Sequence, residues 1–379
     1  MDFQLSEIQS MIRDTARDFA EKELRPIAAQ IDAECRFPEE VVAKMGELGL
    51  LGIYIPEEWG GAGADMLSYA LAVEEISRIC GSTGVTLSAH TSLACDPIAT
   101  FGTEEQKQKY LTPLASGSVL GCFALTEPGA GSDAASGIAT AEKQGDEYIL
   151  NGTKNFITNG GTAEYAVVFA KTDKSAGTGG ISAFIVERAY EGYSVGKVEH
   201  KLGINASTTV ELVFENVHVP AANLLAEEGK GFKVAMNTLN GGRIGIAAQA
   251  VGIAQAALDD SVTFAKERVQ FGKPIANLQA IQWMIADMKT KLDAARLLTY
   301  RAAALKDAGQ NYIQESAIAK LFASEACTWI THKGIQVHGG YGYSKEYPME
   351  RYYRDARITE IYEGTSEIQR LVIASMLLR

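Results

Sequence analysis

The spacing of the apolar residues changes twice along the chain, and this change constrains the fold more than any other feature. From residue 1 to about residue 119 the apolar residues recur at helical intervals, and from about 120 to 225 short runs alternate with a period of two. The helical interval returns from about 226 to 379. We therefore expect a helical N-terminal domain over 1–119, a middle β-domain over 120–225 and a helical C-terminal domain over 226–379. This order predicts an α+β chain that is mostly α.

Local signals predict where individual helices begin and end. Ser6 with Gln9, and Thr103 with Gln106, have the spacing of a capping box and predict two helix starts. Gly309 follows a long amphipathic stretch and predicts the end of a helix.

The middle stretch contains short β-branched or aromatic runs bounded by Gly, Asn or Asp. Gly145 and Asp146 predict a tight turn between two of the strands. Such closely spaced strands predict a compact β-barrel or sandwich. The predicted strand segments are 147–160, 164–172, 180–188 and 208–220.

Composition excludes several classes of protein. The formal net charge is -12 and no basic run occurs, which argues against binding to nucleic acid or to an anionic membrane. The five cysteines form no CxxC and the five histidines form no HExxH, so we expect reduced thiols and no metal site. An acidic, amphipathic N-terminus and the lack of any run of about 18 apolar residues predict a cytoplasmic protein without a membrane span.

One glycine motif has a misleading form. Gly129, Gly131 and Ala134 match the dinucleotide fingerprint G-x-G-x-x-A, but a strand pair is predicted to follow them where that fingerprint requires a helix. We therefore reject a Rossmann fold. Two roles remain open for the motif: its backbone could line a contact to a cofactor or anion, or it could form a plain surface turn.

The stretch "ITEIYEGTSEIQR" (358–370) places a carboxylate, Glu363, beside bulky apolar neighbours and just before a predicted helix. Ser366 with Gln369 has capping-box spacing. A carboxylate in a dry pocket has a raised pKa and suits the role of a general base. The alternative is that Glu363 only complements a helix dipole.

Five motifs in the same order and spacing as in a known family now give a specific resemblance. The chain resembles the acyl-CoA dehydrogenases over essentially its whole length, and is most similar to the short-chain, butyryl-CoA type. The motifs are "CFALTEPGAGSD" (122–133), "NGTKNFITNGG" (151–161), "ERVQFGKPIANLQAIQ" (267–282), "IQVHGGYGY" (335–343) and "YYRDARITEIYEGTSEIQR" (352–370).

The resemblance implies a fold, a reaction and partners. It implies a helical N-terminal domain, a middle β-barrel or sandwich and a C-terminal four-helix bundle, assembled as a homotetramer. Each subunit would hold one FAD and oxidise the Cα–Cβ bond of a short-chain acyl-CoA to a trans-2-enoyl-CoA. The electrons would pass from the flavin to an electron-transferring flavoprotein.

The resemblance also implies that Glu363 is the catalytic base and that its backbone N–H helps to hold the enolate oxygen. In the isovaleryl-type and long-chain branches of the family the base precedes an arginine that matches Arg243. Gly242 occupies that position here and cannot act as a base.

Further site residues follow from the resemblance, position by position. Many relatives have Trp where this chain has Phe156, and short-chain relatives often have Asp where it has Asn240. The substrate contacts would be Ser132, Asn240, Arg243, Tyr362 and Gly364. The FAD contacts would be Phe123, Leu125, Thr126, Ser132, Phe156, Ile157, Thr158, Arg268, Phe271, Gln279, Gln336, Val337, Gly339, Gly340, Thr365, Ser366 and Glu367, with those from Arg268 to Gly340 facing a neighbouring subunit.

Three alternatives remain open at this point. The enzyme could work in the opposite direction as an enoyl-CoA reductase, or as an aryl-propenoyl-CoA reductase if Gly241 widens the acyl cavity. An acyl-CoA oxidase would share the fold, although the short tail after Arg370 argues against the larger oxidases. A catalytically dead helical scaffold would be the non-enzyme alternative.

Overall fold

The computed structural model describes residues 4–378. Helices fill its N-terminal part, and three wider π-helical turns, at 20–24, 90–95 and 107–111, connect some of them. The α-helices of this part are α1 (Glu7–Phe19), α2 (Ala28–Ala33), α3 (Glu39–Glu47), α4 (Met66–Ile79), α5 (Gly81–Ala89), α6 (Asp96–Phe101), α7 (Glu104–Gln106) and α8 (Thr112–Ala115).

The middle part forms one eight-stranded sheet. Its order is β6-β7-β3-β2-β4-β5-β8, and β1 pairs in parallel with β4. The strands are β1 (Gly121–Ala124), β2 (Thr140–Gln144), β3 (Glu147–Thr158), β4 (Tyr165–Lys171), β5 (Ile181–Glu187), β6 (Tyr193–Val198), β7 (Thr209–Pro220) and β8 (Leu224–Leu225). Alternate residues of β1, β3, β4, β5 and β7 bury their side chains in a common apolar core.

The C-terminal part is again helical. Its α11 packs against α9, α10 and α14, and a short hairpin separates α9 from α10. The elements are α9 (Gly231–Glu267), β9 (Val269–Gln270), β10 (Lys273–Pro274), α10 (Gln279–Asp307), α11 (Ile313–His338), α12 (Gly340–Tyr343), α13 (Met349–Ile358) and α14 (Ser366–Leu377).

Helix α9 lies at the centre of the helical core and contacts α4, α5, α10, α11 and α13. It is apolar on nearly every side between residues 241 and 258, as a fully enclosed helix must be. Gly252 allows the closest approach, because a Cβ there would overlap the Glu74 carbonyl oxygen of α4. The small residues of α9 thus set how close the surrounding helices come.

Most local predictions are confirmed, and so is the α+β, mostly α fold class. Both capping boxes, at Ser6 and Thr103, are formed. Helix α10 ends at Asp307, and Gly309 follows with a φ of +64°. Only a 3-10 turn (Ala134–Ser136) and then the antiparallel strands β2 and β3, joined at Gly145, follow the glycine motif at 129–134, so the α-helix that the dinucleotide fingerprint requires does not stand there.

A buried ion pair organises the loop that follows β1. Lys154 on β3 donates to Glu127 at 2.7 Å, and both side chains are almost completely buried. Glu127 also accepts hydrogen bonds from the backbone N–H groups of Ile138 and Ala139, while Lys154 reaches the Leu125 carbonyl oxygen. The pair therefore fixes both ends of the 125–139 loop.

We expect Glu127→Gln to lower the free energy of unfolding by about 3 kcal/mol, because it leaves the Lys154 charge buried without a counter-charge. The double variant Glu127→Gln/Lys154→Met should recover part of this loss. Urea unfolding measures both. Glu104→Gln, in an exposed pair with Lys107, is the matched control and should change stability by at most about 1 kcal/mol. A Glu127→Gln protein as stable as that control would contradict the prediction.

Candidate active site

The turn between α13 and α14 carries Glu363 in an uncommon backbone conformation. Glu363 has a φ of +51° and Gly364 a φ of +90°, so two consecutive residues lie in the left-handed region. This region is unfavourable for a residue with a Cβ, and it persists only where the surroundings hold it. The conformation of Glu363 therefore points to a local role that requires it.

Two side chains hold this turn. The Gln369 amide donates to the carbonyl oxygens of Glu363 at 3.2 Å and of Gly364 at 2.9 Å. The Lys320 ammonium, from α11, donates to the same Gly364 oxygen at 2.7 Å. The turn is thus hydrogen-bonded both to α14, the helix that follows it, and to α11.

The predicted capping box of Ser366 with Gln369 is wrong. Thr365 is the N-cap of α14, and its hydroxyl accepts from the backbone N–H of Ile368 at 3.3 Å. The box does not form because the two backbone N–H groups that it would use have other partners: that of Ser366 donates to the Glu360 carbonyl oxygen at 3.0 Å, and that of Gln369 donates to the Thr365 carbonyl oxygen at 2.9 Å. The Ser366 hydroxyl has no hydrogen-bond partner within the described range, 4–378.

The Glu363 carboxylate packs directly against α9. Its Oε2 atom is shielded from solvent and has no hydrogen-bond partner among residues 4–378, although the residue as a whole is partly accessible. A Cβ on Gly242 would overlap this oxygen and would also come within 2.9 Å of Leu93 Cδ2. Gly242 is therefore required by the position of the carboxylate, in addition to being unable to act as a base.

Burial raises the pKa of Glu363 to about 7, and the positive charges of Lys320 and Arg243 oppose part of that rise. A carboxyl group with a pKa near 7 is divided between its two protonation states at neutral pH. It can therefore both accept and release a proton under physiological conditions.

Arg243 lies on α9, one residue beyond Gly242, and is 5% exposed. It donates to the Asn240 side-chain oxygen at 2.7 Å, whereas its Nε atom has no partner in the part of the chain that the structure describes. A buried guanidinium with a free donor is suited to a polar ligand group. Asn240 and Arg243 thus form one polar unit next to the base.

Tyr362 forms the apolar side of the site. Its ring packs with Val85, Ile204 and Ile246, and its hydroxyl donates to Gln249. Because Ile204 belongs to the middle part of the chain, this cluster also joins the β-sheet region to the helical core.

A second group of predicted residues lies where the segment that follows β1 meets the C-terminal part of β3. The backbone N–H of Asn155 donates to the Thr126 carbonyl oxygen at 2.8 Å, which brings the segment after β1 beside the end of β3. At this point β3 has a bulge, where Phe156 has a φ of +55° and is 60% exposed. The structure thereby gathers Phe123, Leu125, Thr126, Phe156, Ile157 and Thr158, with Ser132 exposed on the adjoining loop.

The third group lies far from Glu363 in the same chain. A cavity of about 630 Å³ is lined by Arg268, Phe271, Val337, Gly339 and Gly340, among others, while Gln279 and Gln336 are exposed but not part of the lining. These residues cluster at the C-terminal end of α11, 18 residues beyond Lys320, which corresponds to about 27 Å of helix. One chain alone does not bring them to Glu363.

His338, at the end of α11, has a structural environment. It is 3% exposed, its Nδ1 lies 2.8 Å from the Gly334 carbonyl oxygen, and its ring stacks on Phe264 at 4.4 Å.

The observed residues fit the FAD implied by the resemblance. Phe156 presents an exposed aromatic face, and no acceptor in residues 4–378 engages the Glu363 backbone N–H. At the third group, a Cβ on Gly339 or Gly340 would meet no heavy atom within 4 Å, so a ligand can approach the backbone. The guanidinium of Arg268, 5.2 Å from the Tyr341 ring, supplies positive charge there.

Residues 4–378 contain no group of three or more His, Cys, Asp and Glu residues that is arranged to hold a metal ion. None of the helices in this range combines the length and the apolarity needed to cross a bilayer. All five cysteines are free thiols, and Cys35 is the exposed one.

Sequence reasoning missed Lys320 and the true role of Gln369. Lys320 is the single charged residue in the apolar helical stretch "AIAKLFA" (317–323). Because a lysine is almost never fully buried unless it is paired, this pattern indicates a lysine with a specific partner. Its partner is a backbone carbonyl 44 residues away, which no local pattern reveals.

Comparison with family models covers almost the whole chain. Residues 6–118 match the model described as acyl-CoA dehydrogenase, N-terminal domain. Residues 122–217 match the acyl-CoA dehydrogenase middle domain, and residues 229–378 match the acyl-CoA dehydrogenase C-terminal domain.

Two curated relatives are similar over their full length. The short-chain specific acyl-CoA dehydrogenase of Clostridium acetobutylicum is 55% identical over 379 residues, which is 100% of both chains. The acryloyl-CoA reductase (NADH) of Anaerotignum propionicum is 55% identical over 376 residues, or 99% of this chain and 95% of that protein.

Three solved structures superpose closely on this chain. Butyryl-CoA dehydrogenase from Megasphaera elsdenii superposes with a TM-score of 0.99 at 51% identity, with 100% of both chains covered. A chain from work on the electron transferring flavoprotein of Acidaminococcus fermentans has a TM-score of 0.99 at 54% identity, again with 100% of both chains covered. An acyl-CoA dehydrogenase from Bacillus anthracis complexed with FAD has a TM-score of 0.94 at 40% identity, covering 99% of this chain and 68% of that one.

The predicted resemblance is therefore confirmed along the whole chain, and with it the expected cofactor, FAD. The chain belongs to the acyl-CoA dehydrogenase family and is an FAD-dependent oxidoreductase.

Proposed function

We propose that the protein interconverts a short-chain acyl-CoA and its trans-2-enoyl-CoA, with Glu363 as the group that exchanges the α-proton. The observation that carries this proposal is the Glu363 carboxylate itself, whose Oε2 is shielded and without a hydrogen-bond partner among the described residues, and whose pKa burial raises to about 7. Gly242 leaves no competing base at the position used by other branches of the family.

In the oxidative direction the ionised Glu363 carboxylate accepts the proton from Cα of the thioester. The backbone N–H of Glu363, which engages no protein acceptor in residues 4–378, then donates to the thioester oxygen as negative charge develops there. Arg243 and Asn240 orient the substrate from α9, while Tyr362 and Gly364 border the acyl portion. Bound FAD supplies the two-electron acceptor for the hydrogen at Cβ.

FAD is assigned to two surfaces in this proposal. The flavin is bordered by the segment that follows β1, by the C-terminal part of β3 and by the α14 N-terminus. The residues are Phe123, Leu125, Thr126, Ser132, Phe156, Ile157, Thr158, Thr365, Ser366 and Glu367. The surface at the end of α11 receives the rest of the cofactor from a neighbouring subunit through Arg268, Phe271, Gln279, Gln336, Val337, Gly339 and Gly340. This division supports an oligomer whose subunits share the cofactor, because one chain separates the two surfaces by about 27 Å of helix, and the homotetramer implied by the resemblance is the oligomer we propose.

Two observations support the substrate class and the electron partner. Tyr362 is partly accessible and gives the site an apolar side, backed by the buried Val85, Ile204 and Ile246, which suits a short hydrocarbon chain. The relatives named short-chain specific acyl-CoA dehydrogenase and butyryl-CoA dehydrogenase support the same class. The similar chain from the flavoprotein work supports an electron-transferring flavoprotein as the partner.

The second candidate is physiological use in the reductive direction, as an enoyl-CoA reductase. The 55% identical acryloyl-CoA reductase favours it. An aryl-propenoyl substrate has less support, because Gly241 does not open free space: a Cβ there would come within 2.8 Å of the Lys306 ammonium.

We expect Glu363→Gln to lower kcat about a thousandfold, since the amide is nearly isosteric with the carboxylate but cannot accept the proton. Bound FAD and the affinity for acyl-CoA should stay near wild type, as measured by flavin absorbance and its change on titration with butyryl-CoA. Glu47→Gln, on the exposed side of α3, is the control. If Glu363→Gln keeps a wild-type kcat, Glu363 is not the base.

The pH dependence should have opposite signs in the two directions. Oxidation requires ionised Glu363, so kcat/KM should fall about tenfold per pH unit below about pH 7 and level off above it. Reduction requires the protonated form, so its kcat/KM should fall above that pH. Profiles with butyryl-CoA and crotonyl-CoA test this, and an oxidative acid limb near the ordinary glutamate pKa would contradict it.

A further inference from the structure

Lys320 is a buried cation with an unusual partner. The residue is 0% exposed, and no ion pair involves it in residues 4–378. Its ammonium makes a single hydrogen bond, to the Gly364 carbonyl oxygen at 2.7 Å. Burying an ammonium without a paired carboxylate is unfavourable, so its presence requires a compensating role.

We propose that Lys320 is a positioning residue of the active site, whose hydrogen bond to the Gly364 carbonyl fixes the direction in which the Glu363 carboxylate and backbone N–H point. This inference rests on the function proposed above for Glu363. It assigns to Lys320 no contact with substrate or cofactor.

The geometry gives Lys320 a task that Gln369 cannot perform. Gln369 belongs to α14, the helix that begins directly after the turn, so its hydrogen bonds only close the turn on itself. Lys320 belongs to α11, which packs along α9. Helix α9 carries Gly242, the residue that meets the Glu363 carboxylate. The Lys320 hydrogen bond therefore sets the turn relative to α9, which carries Arg243 and Asn240.

The left-handed backbone makes this tie necessary. Glu363, with a φ of +51°, would relax toward a more favourable conformation if the following carbonyl were released. Such a change would move both the carboxylate and the N–H. A displacement of about 1 Å in a catalytic group can lower a rate about a hundredfold.

The charge of Lys320 also acts on Glu363. The groups that face Glu363 are Lys320 from α11, Arg243 from α9, Tyr69 from α4 and the adjacent Tyr362. Lys320 in turn faces Glu363, Arg243, Glu360 and Glu367, and burial lowers the Lys320 pKa to about 8. Because the Lys320 charge lowers the pKa of Glu363, its removal should raise that pKa and leave more of the base protonated at neutral pH.

Two variants of the FAD-loaded enzyme separate the hydrogen bond from the charge. Lys320→Met removes both, whereas Lys320→Gln removes the charge and keeps a donor. We expect kcat to fall about tenfold to a hundredfold in Lys320→Met and less in Lys320→Gln, with KM for butyryl-CoA within about threefold of wild type. The acid limb of the oxidative pH profile should move up by about one pH unit in both variants.

Lys22→Met, an exposed lysine on the N-terminal surface, is the matched control and should leave the pH profile unchanged. A Lys320→Met enzyme with wild-type kcat and acid limb overturns the proposal, as does a variant that only loses thermal stability. If Lys320→Met does not fold, the same two measurements on Lys320→Gln, kcat and the acid limb, decide the proposal. If Glu363→Gln is active, the proposed function fails; if only the Lys320 variants match wild type, the function stands and this inference fails.

Discussion

The close approach of other elements to α9 is the constraint on which the rest of the structure depends. At Gly252 the backbone of α4 lies where a Cβ would be, and at Gly242 the carboxylate of Glu363 occupies the same kind of space. One helix therefore serves as the packing centre of the helical core and as one wall of the active site. Because cores are packed to crystal-like density, the position of the carboxylate is set by the same contacts that stabilise the fold.

The chemistry of the site follows from two opposed electrostatic effects. Burial alone disfavours an ionised carboxylate, whereas the nearby charges of Lys320 and Arg243 favour it, and the balance leaves the pKa of Glu363 at about 7. No donor in residues 4–378 bonds Oε2, and Glu363 as a whole is partly accessible, so the basicity of the carboxylate is available to a ligand. A base of this kind differs from a surface glutamate by its environment rather than by its own structure.

Local patterns predicted local structure well, and they failed where a distant group intervened. The capping boxes at Ser6 and Thr103 form because each Ser or Thr is free to bond the third residue after it. The same spacing at Ser366 gives no box because the Ser366 N–H donates to the Glu360 carbonyl oxygen and the Gln369 N–H to the Thr365 carbonyl oxygen. The role of Lys320 was likewise not predictable from a local pattern, because its partner Gly364 lies 44 residues away in a different part of the fold.

The amino-acid sequence by itself determined the order of helix, sheet and helix, the family, and the candidate base, because periodicity and motif spacing are properties of the chain alone. Only the tertiary structure decided that Oε2 is shielded, that Gly242 is needed to accommodate it, and that Lys320 holds the turn. Burial, hydrogen-bond geometry and electrostatic potential arise from segments far apart in the chain, so they exist only once α9, α11 and the 361–365 turn have packed together.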